Sequence, residues 1–416
     1  MLQEISMTDH FTDSWQIEHQ CPQCGAPVIL YETDRLLQCP FCRTKLYLVA
    51  NGHFHYRIQG KDATFREIIH IPYWRIRGLS FSVGKGDVSC RFFDTSILAV
   101  DMKGIPASLG LRPQSLKLRF AVPGPGYCYL EPSSNVRTLM QNRCHNMTSR
   151  GRQVFIGETI SLIYAPMFIE NSALYDAVLE RRVCPVPPLG IDALSLNNAS
   201  RNRQIRFIST LCPQCGWDLQ GTREALVLIC VNCNSVWVCK NGAFEKLSFS
   251  VVEGHEGAEY YLPFWRMKPK VEGMILKTYA DLIRLGNLPK TVTHALETIP
   301  LYFWAPAFKV NPALFLRWSR QLTAYQPLGK SKEILPRAAC HPVTLPSGEA
   351  HEGIVVTLAG LVADKRKLLT SFDDIHITEG ETLLEYHPFS ICRNELIHAN
   401  LKLGIDKNAL AFGTEL

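Results

Sequence analysis

Cys21-Pro22-Gln23-Cys24-Gly25 begins the stretch that decides the fold, and fourteen residues separate Cys24 from the second pair, Cys39-Pro40-Phe41-Cys42. The pattern returns as Cys212-Pro213-Gln214-Cys215-Gly216 and Cys230-Val231-Asn232-Cys233, again with fourteen residues between the pairs. Two residues between cysteines allow a tight turn to direct both thiolates at one ion. Each set of two pairs therefore predicts one four-cysteine metal site, and the chain predicts two.

The residue after the second cysteine of each turn is expected to have a positive φ. Gly25 and Gly216 adopt it without steric cost, Asn234 tolerates it, and Arg43 is the least comfortable of the four. The fourteen residues between the pairs suit a short β-hairpin. Its apolar residues are Val28, Leu30 and Leu36 in the first set and Leu226, Leu228 and Ile229 in the second.

These knuckles resemble those of the zinc-ribbon superfamily, over residues 19–50 and 210–246. The resemblance implies two structural Zn²⁺ ions per chain, held by Cys21, Cys24, Cys39 and Cys42 and by Cys212, Cys215, Cys230 and Cys233. Zinc ribbons occur in transcription factors, polymerase subunits, tRNA-modifying enzymes and scaffold proteins. The resemblance therefore implies a metal and a fold but no single activity.

Iron is the alternative metal, because a tetrahedral thiolate shell also suits the rubredoxin-like domain of rubrerythrins. A rubrerythrin needs helical Glu-x-x-His pairs, whereas Glu67–His70 and Glu395–His398 lie in segments with strand character. The sequence therefore favours zinc. Four cysteines close the coordination shell and leave no position for substrate, so a catalytic metal is not expected.

An internal repeat links the two metal motifs. An offset of 191 residues relates the ribbons and also aligns Ile71–Arg75 with Leu262–Arg266. An offset of 140 then aligns Tyr164–Phe168 with Trp304–Phe308, and Asn171–Leu174 with Asn311–Leu314. We interpret the chain as a duplicated unit of ribbon, strand and helix, whose first copy carries 51 extra residues before Tyr164.

Periodicity predicts the elements of this unit. Ile69–Trp74 and Tyr260–Trp265 alternate as strands, and the proline in each predicts an edge strand or a bulge. Asn311-Pro312 predicts the start of a helix with Leu314, Trp318 and Leu322 on one face. Asn171 is expected to cap the equivalent helix, with Leu174 and Val178 facing inward. A further helix is expected within Gly348–Leu361.

The predicted fold class is α+β, with two four-cysteine zinc ribbons attached to duplicated β-rich modules and a C-terminal α+β module. Glu385–Phe389 partly resembles Glu259–Phe264 and suggests that the tail is a third, ribbonless module. The predicted segments are an N-terminal segment with ribbon 1 (1–50), a β-rich module with a C-terminal helix (51–190), a linker with ribbon 2 (191–250), a second β/α module (251–335) and the C-terminal module (336–416).

Composition sets broad limits on function. With 46% hydrophobic and 20% charged residues the chain is an ordinary globular protein, and a net charge of +6 over 416 residues is not the concentrated basic surface of a nucleic-acid binder. No apolar run is long enough to predict a membrane span. The polar N-terminus lacks the pattern of a signal peptide, so we predict a cytoplasmic protein whose cysteines are reduced.

Other candidate residues have competing interpretations. Arg75 and Arg266 each follow a tryptophan and can be read as phosphate or base contacts, but a core arginine that stacks on a ring or pairs with a carboxylate is favoured. Cys144-His145 and Cys340-His341 suggest a third metal only weakly, and Cys392 has no predicted role. A Cys-His nucleophile has no support beyond composition, and no complete enzyme motif is present.

We therefore predict a non-enzymatic zinc-binding scaffold or adaptor that docks protein partners in a larger assembly. The alternatives are a nucleic-acid-associated zinc-ribbon factor of the transcription or replication type, and a non-catalytic subunit of an enzyme complex. Each ribbon hairpin is too small to fold alone, so loss of one cysteine is expected to unfold its own ribbon and leave the larger modules intact.

Overall fold

The computed structural model describes residues 15–60, 67–83, 88–110, 118–122, 127–133, 135–145, 152–185, 205–254, 258–364, 374–401 and 403–411, and the structural statements below concern these residues. The fold is mixed α+β and rich in strand, as expected. Of the predicted segment 191–250, residues 191–204 lie outside the described residues. Among the residues described, no helix is both long enough and apolar enough to cross a membrane.

The N-terminal half contains strands and one helix. In chain order they are β1 Gln16–Gln20, β2 Pro27–Tyr31, β3 Leu36–Gln38, β4 Lys45–Ala50, β5 Phe54–Ile58, β6 Ile68–Val83, β7 Val88–Leu98, β8 Leu118–Phe120, β9 Tyr127–Tyr129, α1 Val136–His145, β10 Arg152–Glu170, β11 Ala173–Asp176 and β12 Arg181–Pro185.

The C-terminal half contains more helix. Its elements are β13 Ile205–Ser209, β14 Val227–Cys230, β15 Ser235–Lys240, β16 Ala243–Leu247, β17 Phe249–Val252, β18 Tyr260–Glu272, α2 Tyr279–Gly286, α3 His294–Thr298, β19 Phe303–Pro306, α4 Pro312–Tyr325, β20 Ser331–Lys332, β21 Ala339–Cys340, α5 Ser347–Glu352, α6 Ile354–Leu361, β22 His376–Cys392, β23 Glu395–His398, β24 Gly404–Asp406 and α7 Lys407–Ala411.

Two large sheets and two small ones form from these strands. The first large sheet runs β12-β11-β10-β5-β8-β1-β2, with β6 paired to β10, β7 and β9. The second runs β19-β18-β22-β17-β20, with β21 on β18 and with β23 and β24 following β22. The small sheets, β13-β4-β3 and β14-β15-β16, belong to the metal-binding regions.

The two large sheets have the same strand registers. Tyr73 pairs with Ile163 and Leu98 in the first sheet, and Phe264 pairs with Glu385 and Pro306 in the second. The residue numbers of corresponding strands differ by 191 for β6 and β18, 208 for β7 and β19, and 222 for β10 and β22. The β10–β11 and β22–β23 ladders also correspond at 222. Both long ladders carry a bulge at the same position.

These registers show that the offset of 140 is wrong. Trp304 lies in β19 and corresponds to Ser96 of β7, whereas Tyr164 lies in β10 and corresponds to Tyr386 of β22. The offset also placed extra residues in the first copy. The structure instead places α2 and α3 between β18 and β19, so the second half is the longer at this point. The false alignment arose because both segments contain an Ala-Pro pair. Similar residues on two strands do not show that the strands have corresponding neighbours in their sheets.

The predicted helix after Asn171 is also wrong, because β11 occupies Ala173–Asp176. Asn171 and Ser172 both have positive φ, 48° and 56°, and Glu170 pairs with Ala173. Two such residues form the two-residue turn of a β-hairpin. By contrast Asn311 caps α4 by accepting a hydrogen bond from Leu314 N at 2.9 Å, as predicted. The helix expected within Gly348–Leu361 is present as α5 and α6.

Pro72 and Pro263 do not mark edge strands or bulges, since β6 and β18 each have neighbours on both sides. Each proline falls where the neighbour on one side changes, from β9 to β7 and from β21 to β19. Its carbonyl still accepts a bond, from Ala99 N and from Ala307 N respectively. The absence of an N–H group at each proline therefore removes no inter-strand hydrogen bond from either sheet.

The tail from β22 to β24 completes the second large sheet rather than pairing within a sheet of its own. A single core cluster joins the halves, because Phe81 of β6 and Ile156 of β10 pack with Phe315 of α4 and Val356 of α6. The predicted domain boundaries remain predictions.

Candidate metal centres

The first cysteine cluster lies where β1 and β3 end. Cys21 Sγ is 3.7 Å from Cys42 Sγ, Cys24 Sγ is 3.7 Å from Cys39 Sγ, and all four sulfurs lie within 4.8 Å of one another. A tetrahedral ion with metal–sulfur bonds of about 2.3 Å separates its sulfurs by about 3.8 Å. The four side chains therefore fit one tetrahedral ion.

The second cluster has the same geometry. Cys212 Sγ lies 3.6 Å from Cys233 Sγ, and Cys215 Sγ lies 3.5 Å from Cys230 Sγ. The four sulfurs again lie within 4.8 Å of one another. The fourteen cysteines whose side chains the structure describes are free of disulfide bonds. The chain thus has two tetrathiolate sites that can hold two metal ions, and the sulfur geometry suits zinc and iron equally.

Backbone hydrogen bonds shape each turn around its sulfurs. Gly25 N donates to Cys21 O at 2.8 Å and Gly216 N donates to Cys212 O at 2.8 Å. The four residues expected to have positive φ all do, at 73° for Gly25, 62° for Arg43, 74° for Gly216 and 54° for Asn234. Open space surrounds the Cβ position of both glycines, so the positive φ, and not a lack of room, is what favours glycine there.

A hydroxyl group lies beside the last cysteine of each site, which the sequence analysis missed. Thr44 Oγ1 is 3.3 Å from Cys42 Sγ, and hydrogen bonds from Thr44 lower the pKa of Cys42 to about 6. Ser235 Oγ is 3.0 Å from Cys233 Sγ and accepts a bond from Trp237 Nε1 at 2.8 Å. The Ser235 proton is therefore available to the sulfur, and such partners orient metal ligands.

The two metal-binding regions, ribbon 1 and ribbon 2, pack against each other. β13, which leads into ribbon 2, pairs with β4 of ribbon 1. Arg223 O accepts from Arg35 N and Leu36 N at 2.6 and 2.8 Å, and the Arg223 guanidinium donates to Asp34. A shared core contains Leu36, Tyr47, Val49, Cys212, Leu219, Ala225, Leu228, Cys230 and Trp237. Neither ribbon is an isolated hairpin.

Large apolar side chains are exposed at the metal ends of the ribbons. We define the apolar tip as Leu211, Trp217 and Val231 of ribbon 2, which are 49%, 56% and 56% exposed. Phe41, between the last two cysteines of ribbon 1, is 65% exposed. A metal ion in each four-cysteine shell would hold the backbone at these positions and present the exposed apolar groups on a fixed frame.

Arg75 and Arg266 lie in the core positions that the favoured interpretation gave them. Arg75 is 2% exposed, pairs with Asp94 and lies 4.3 Å from the centre of a Trp15 ring. Arg266 donates to Glu385 Oε1 at 3.0 Å and lies over Tyr302. Burial of the Arg75 side chain keeps it from contact with a nucleic-acid backbone.

The remaining cysteines do not form a third cluster within the described residues. Burial raises the pKa of Cys340 to about 12, and neighbouring His341 bonds Tyr260 through Nδ1 at 3.2 Å instead of approaching a sulfur. Cys392 is exposed at the end of β22. Cys144 lies in α1, and its side chain and that of His145 lie outside the described residues.

A buried hydrogen-bonded chain in the second sheet had no signal in the sequence analysis. His398 Nε2 is 3.0 Å from His387 Nδ1, and His387 Nε2 is 3.0 Å from Glu385 Oε2. His398 Nδ1 accepts from Asn400 N and Leu401 N, so its proton lies on Nε2 and is donated to His387. Burial favours a raised pKa for Glu385, but the bonds from His387, Trp304 and Arg266 outweigh it and lower the pKa.

Comparison of the chain with models of protein families, with curated proteins and with solved structures finds no match, so the geometry above carries the functional argument.

Proposed function

We propose that this protein is a two-zinc scaffold that docks a partner protein through the apolar tip of ribbon 2. The observation that carries the proposal is the exposure of Leu211, Trp217 and Val231 beside a closed four-cysteine shell. A closed shell leaves no position for substrate, which argues for a structural ion. Exposed aromatic and aliphatic groups on a rigid frame are typical anchors of protein interfaces.

The charge of ribbon 2 favours a protein as the occupant of this surface. Residues 212–247 carry three basic and three acidic side chains, namely Arg223, Lys240, Lys246, Asp218, Glu224 and Glu245. A surface with no net charge releases few counterions from nucleic-acid phosphates and therefore gains little affinity for nucleic acid. Such a surface is better suited to bind an apolar surface of another protein. Burial of Arg75 removes the strongest candidate for a phosphate contact.

A duplicated unit explains why the two sheets share registers and bulge positions. On this proposal, the two halves descend from one ribbon-and-sheet unit. The correspondence runs through β6, β7, β10 and β11 and not through the 140-residue alignment.

Zinc as the resident metal is tested by elemental analysis of the purified protein. We expect about two zinc equivalents per chain, because each thiolate shell holds one ion. Iron with a visible thiolate charge-transfer band, or about one equivalent of metal, would contradict this part of the proposal.

The docking role is tested with the triple variant Leu211→Ser, Trp217→Ser, Val231→Ser. The partner that co-purifies with the native protein is measured across a salt series, with and without nuclease. We expect the complex to survive nuclease and ~0.3 M salt and to be lost in the triple variant, because an apolar interface is weakly screened. Ile275→Ser, which alters a side chain that is 81% exposed elsewhere, is the matched control and should retain the partner. A complex released by nuclease, or retained by the triple variant, would overturn the docking proposal in favour of nucleic acid or another surface.

A further inference from the structure

A cleft of about 540 Å³ lies between the ribbons and the two large sheets. Its walls are the β4–β5 turn at Asn51 and Gly52, the β15–β16 turn at Asn241 and Gly242, the start of α1, the bulge of β10 and the start of α5. A recess of about 50 Å³ behind it shares the walls formed by Glu158 and Glu349. The volume lies in the range of pockets that hold small organic ligands.

The bulge in β10 places Glu158 in the wall of this cleft. The β6–β10 register shifts between Ile156 and Thr159, and Gly157 has a φ of 70°. Gly78 on β6 lies opposite, where an added Cβ would come within 3.1 Å of Glu158 Cα. Two glycines therefore allow a bulge that redirects one side chain, a device common beside binding sites.

Glu349 of α5 fixes this bulge. Its Oε2 accepts hydrogen bonds from Gly157 N and, at 3.0 Å, from Glu158 N. The contact holds the two carboxyl groups in the same wall, across the junction between the halves of the chain. Burial first, and then the charges of Glu349 and Glu352, raise the pKa of Glu158 to about 7.

The cations near Glu158 are already engaged. Lys309 donates to Thr159 Oγ1 at 2.7 Å, and its charge is balanced by Glu349 and Glu224. Arg35 donates to three backbone carbonyls and lies over Phe54, and Arg137 pairs with Glu352. Among the residues described, none forms a hydrogen bond or ion pair with the Glu158 carboxyl group. At the Glu158 carboxyl group the negative charges of Glu349 and Glu352 outweigh the positive charge of Arg137, so a cation is favoured at this point of the wall.

We propose that the cleft binds a small organic cation, an amine or guanidine, whose N–H groups donate to the Glu158 carboxylate. Glu349, held by the bulge, lies beside Glu158 and favours positive charge on the ligand. A small anion is disfavoured, because the guanidinium groups that would receive it have partners. This inference is independent of partner docking at the apolar tip, which lies at the metal end of ribbon 2 and outside the residues that line the cleft.

The test is calorimetric titration of the full-length, metal-loaded protein with agmatine, which carries one amine and one guanidine. We expect saturable binding at pH 7.5 and none for glutarate, a dianion of similar length. Glu158→Gln keeps the shape of the side chain and should weaken agmatine binding at least tenfold. Glu272→Gln, an exposed charge outside the cleft, should leave it unchanged.

The pH dependence provides a second readout in the native protein. Agmatine affinity should fall towards tenfold per pH unit below about 7, because Glu158 must then release a proton to bind a cation. Arg35, Arg137 and Glu352 are the other charged groups in or beside this wall. Burial lowers the pKa of His53, raises the pKa of Glu349, and lowers the pKa of Lys309, which lines the recess with Glu158, to about 8. Protonation of Lys309 and Glu349 on acidification opposes a bound cation in the same direction as protonation of Glu158. No saturable binding of agmatine at millimolar concentration, or equal affinity and pH dependence in folded Glu158→Gln, would overturn the proposal.

Discussion

The two ribbons have one local geometry but different surroundings. In ribbon 1, β1 and β2 are strands of the first large sheet, and Cys21 and Cys39 pack in a core with Ile17 and Tyr56. Ribbon 2 forms its own sheet of β14, β15 and β16 and packs mainly on ribbon 1. The same four-cysteine spacing can therefore form the edge of a large sheet in ribbon 1 and a separate small sheet in ribbon 2.

The largest expected difference follows from removing one ligand in each ribbon. Cys21→Ser should reduce zinc by about one equivalent and loosen β5 and β8 as well as ribbon 1, because these strands share its sheet and core. Cys212→Ser should loosen ribbon 2 and its contact with ribbon 1 while the second large sheet stays protected. Hydrogen exchange and limited proteolysis measure both patterns.

This expectation sharpens the simpler prediction that each lesion is confined to its own ribbon. Cys392→Ser, at an exposed cysteine outside both shells, is the control and should change neither zinc content nor protection. Identical, ribbon-confined patterns for the two ligand variants would show that the sheet contacts of ribbon 1 add nothing to its stability.

The next comparison is between the corresponding arginines of the two sheets, Arg75 and Arg266, whose substitution should destabilise the fold by different amounts. Arg75→Met leaves Asp94 and fully buried Glu32 without the guanidinium and is expected to destabilise the fold by about 3 kcal/mol. Arg266 is 23% exposed, so water compensates part of the loss and Arg266→Met should cost about 1–2 kcal/mol. Chemical denaturation measures both. The reverse order would show that burial does not set the cost at this position.

Acid should weaken the second sheet through its buried histidines. Burial lowers the pKa of His341 to about 4 and that of His398 to about 3. Both are neutral in the fold and take up a proton on unfolding below pH 6.5, so stability falls as the pH drops from 6.5 towards 4. At pH 5 each contributes a loss of about 2 kcal/mol. Thermal unfolding at pH 7 and 5 measures this, and His398→Gln should reduce the pH dependence, whereas exposed His294→Gln should not.

The smallest expected changes in stability come from substitutions in the second Cys-x-x-Cys turn of each ribbon. Arg43→Gly should stabilise ribbon 1 by about 1 kcal/mol, because glycine relieves the cost of a φ of 62°. Asn234→Gly should instead destabilise ribbon 2 by about 1–2 kcal/mol, because the Asn234 side chain donates to Glu333 O and accepts from Leu335 N. Thermal unfolding of the two variants should show shifts of opposite sign. Shifts of the same sign would mean that φ strain or the amide bonds are insignificant here.

Several predictions that rest on residues close in sequence are confirmed, although the helix expected after Asn171 is not present. The Cys-x-x-Cys turns, the positive φ after each second cysteine and the Asn311 cap of α4 all depend on contacts within a few residues, and the structure has them as expected. The strands containing Tyr73 and Phe264 were also predicted from alternation in the sequence, although the structure buries both faces of β6 and the continuous run Leu262–Trp265 of β18.

Local sequence was thus enough to specify two tetrathiolate sites, their turns and the main strands, because steric and hydrogen-bonding limits on a short segment leave few alternatives. The assembled fold was needed to establish that Tyr164 corresponds to Tyr386 and that Glu158 and Glu349 meet at a cleft. These features depend on strands and helices far apart in the chain. No local rule selects such neighbours, because the free energy that joins them comes from packing and burial in the assembled sheets.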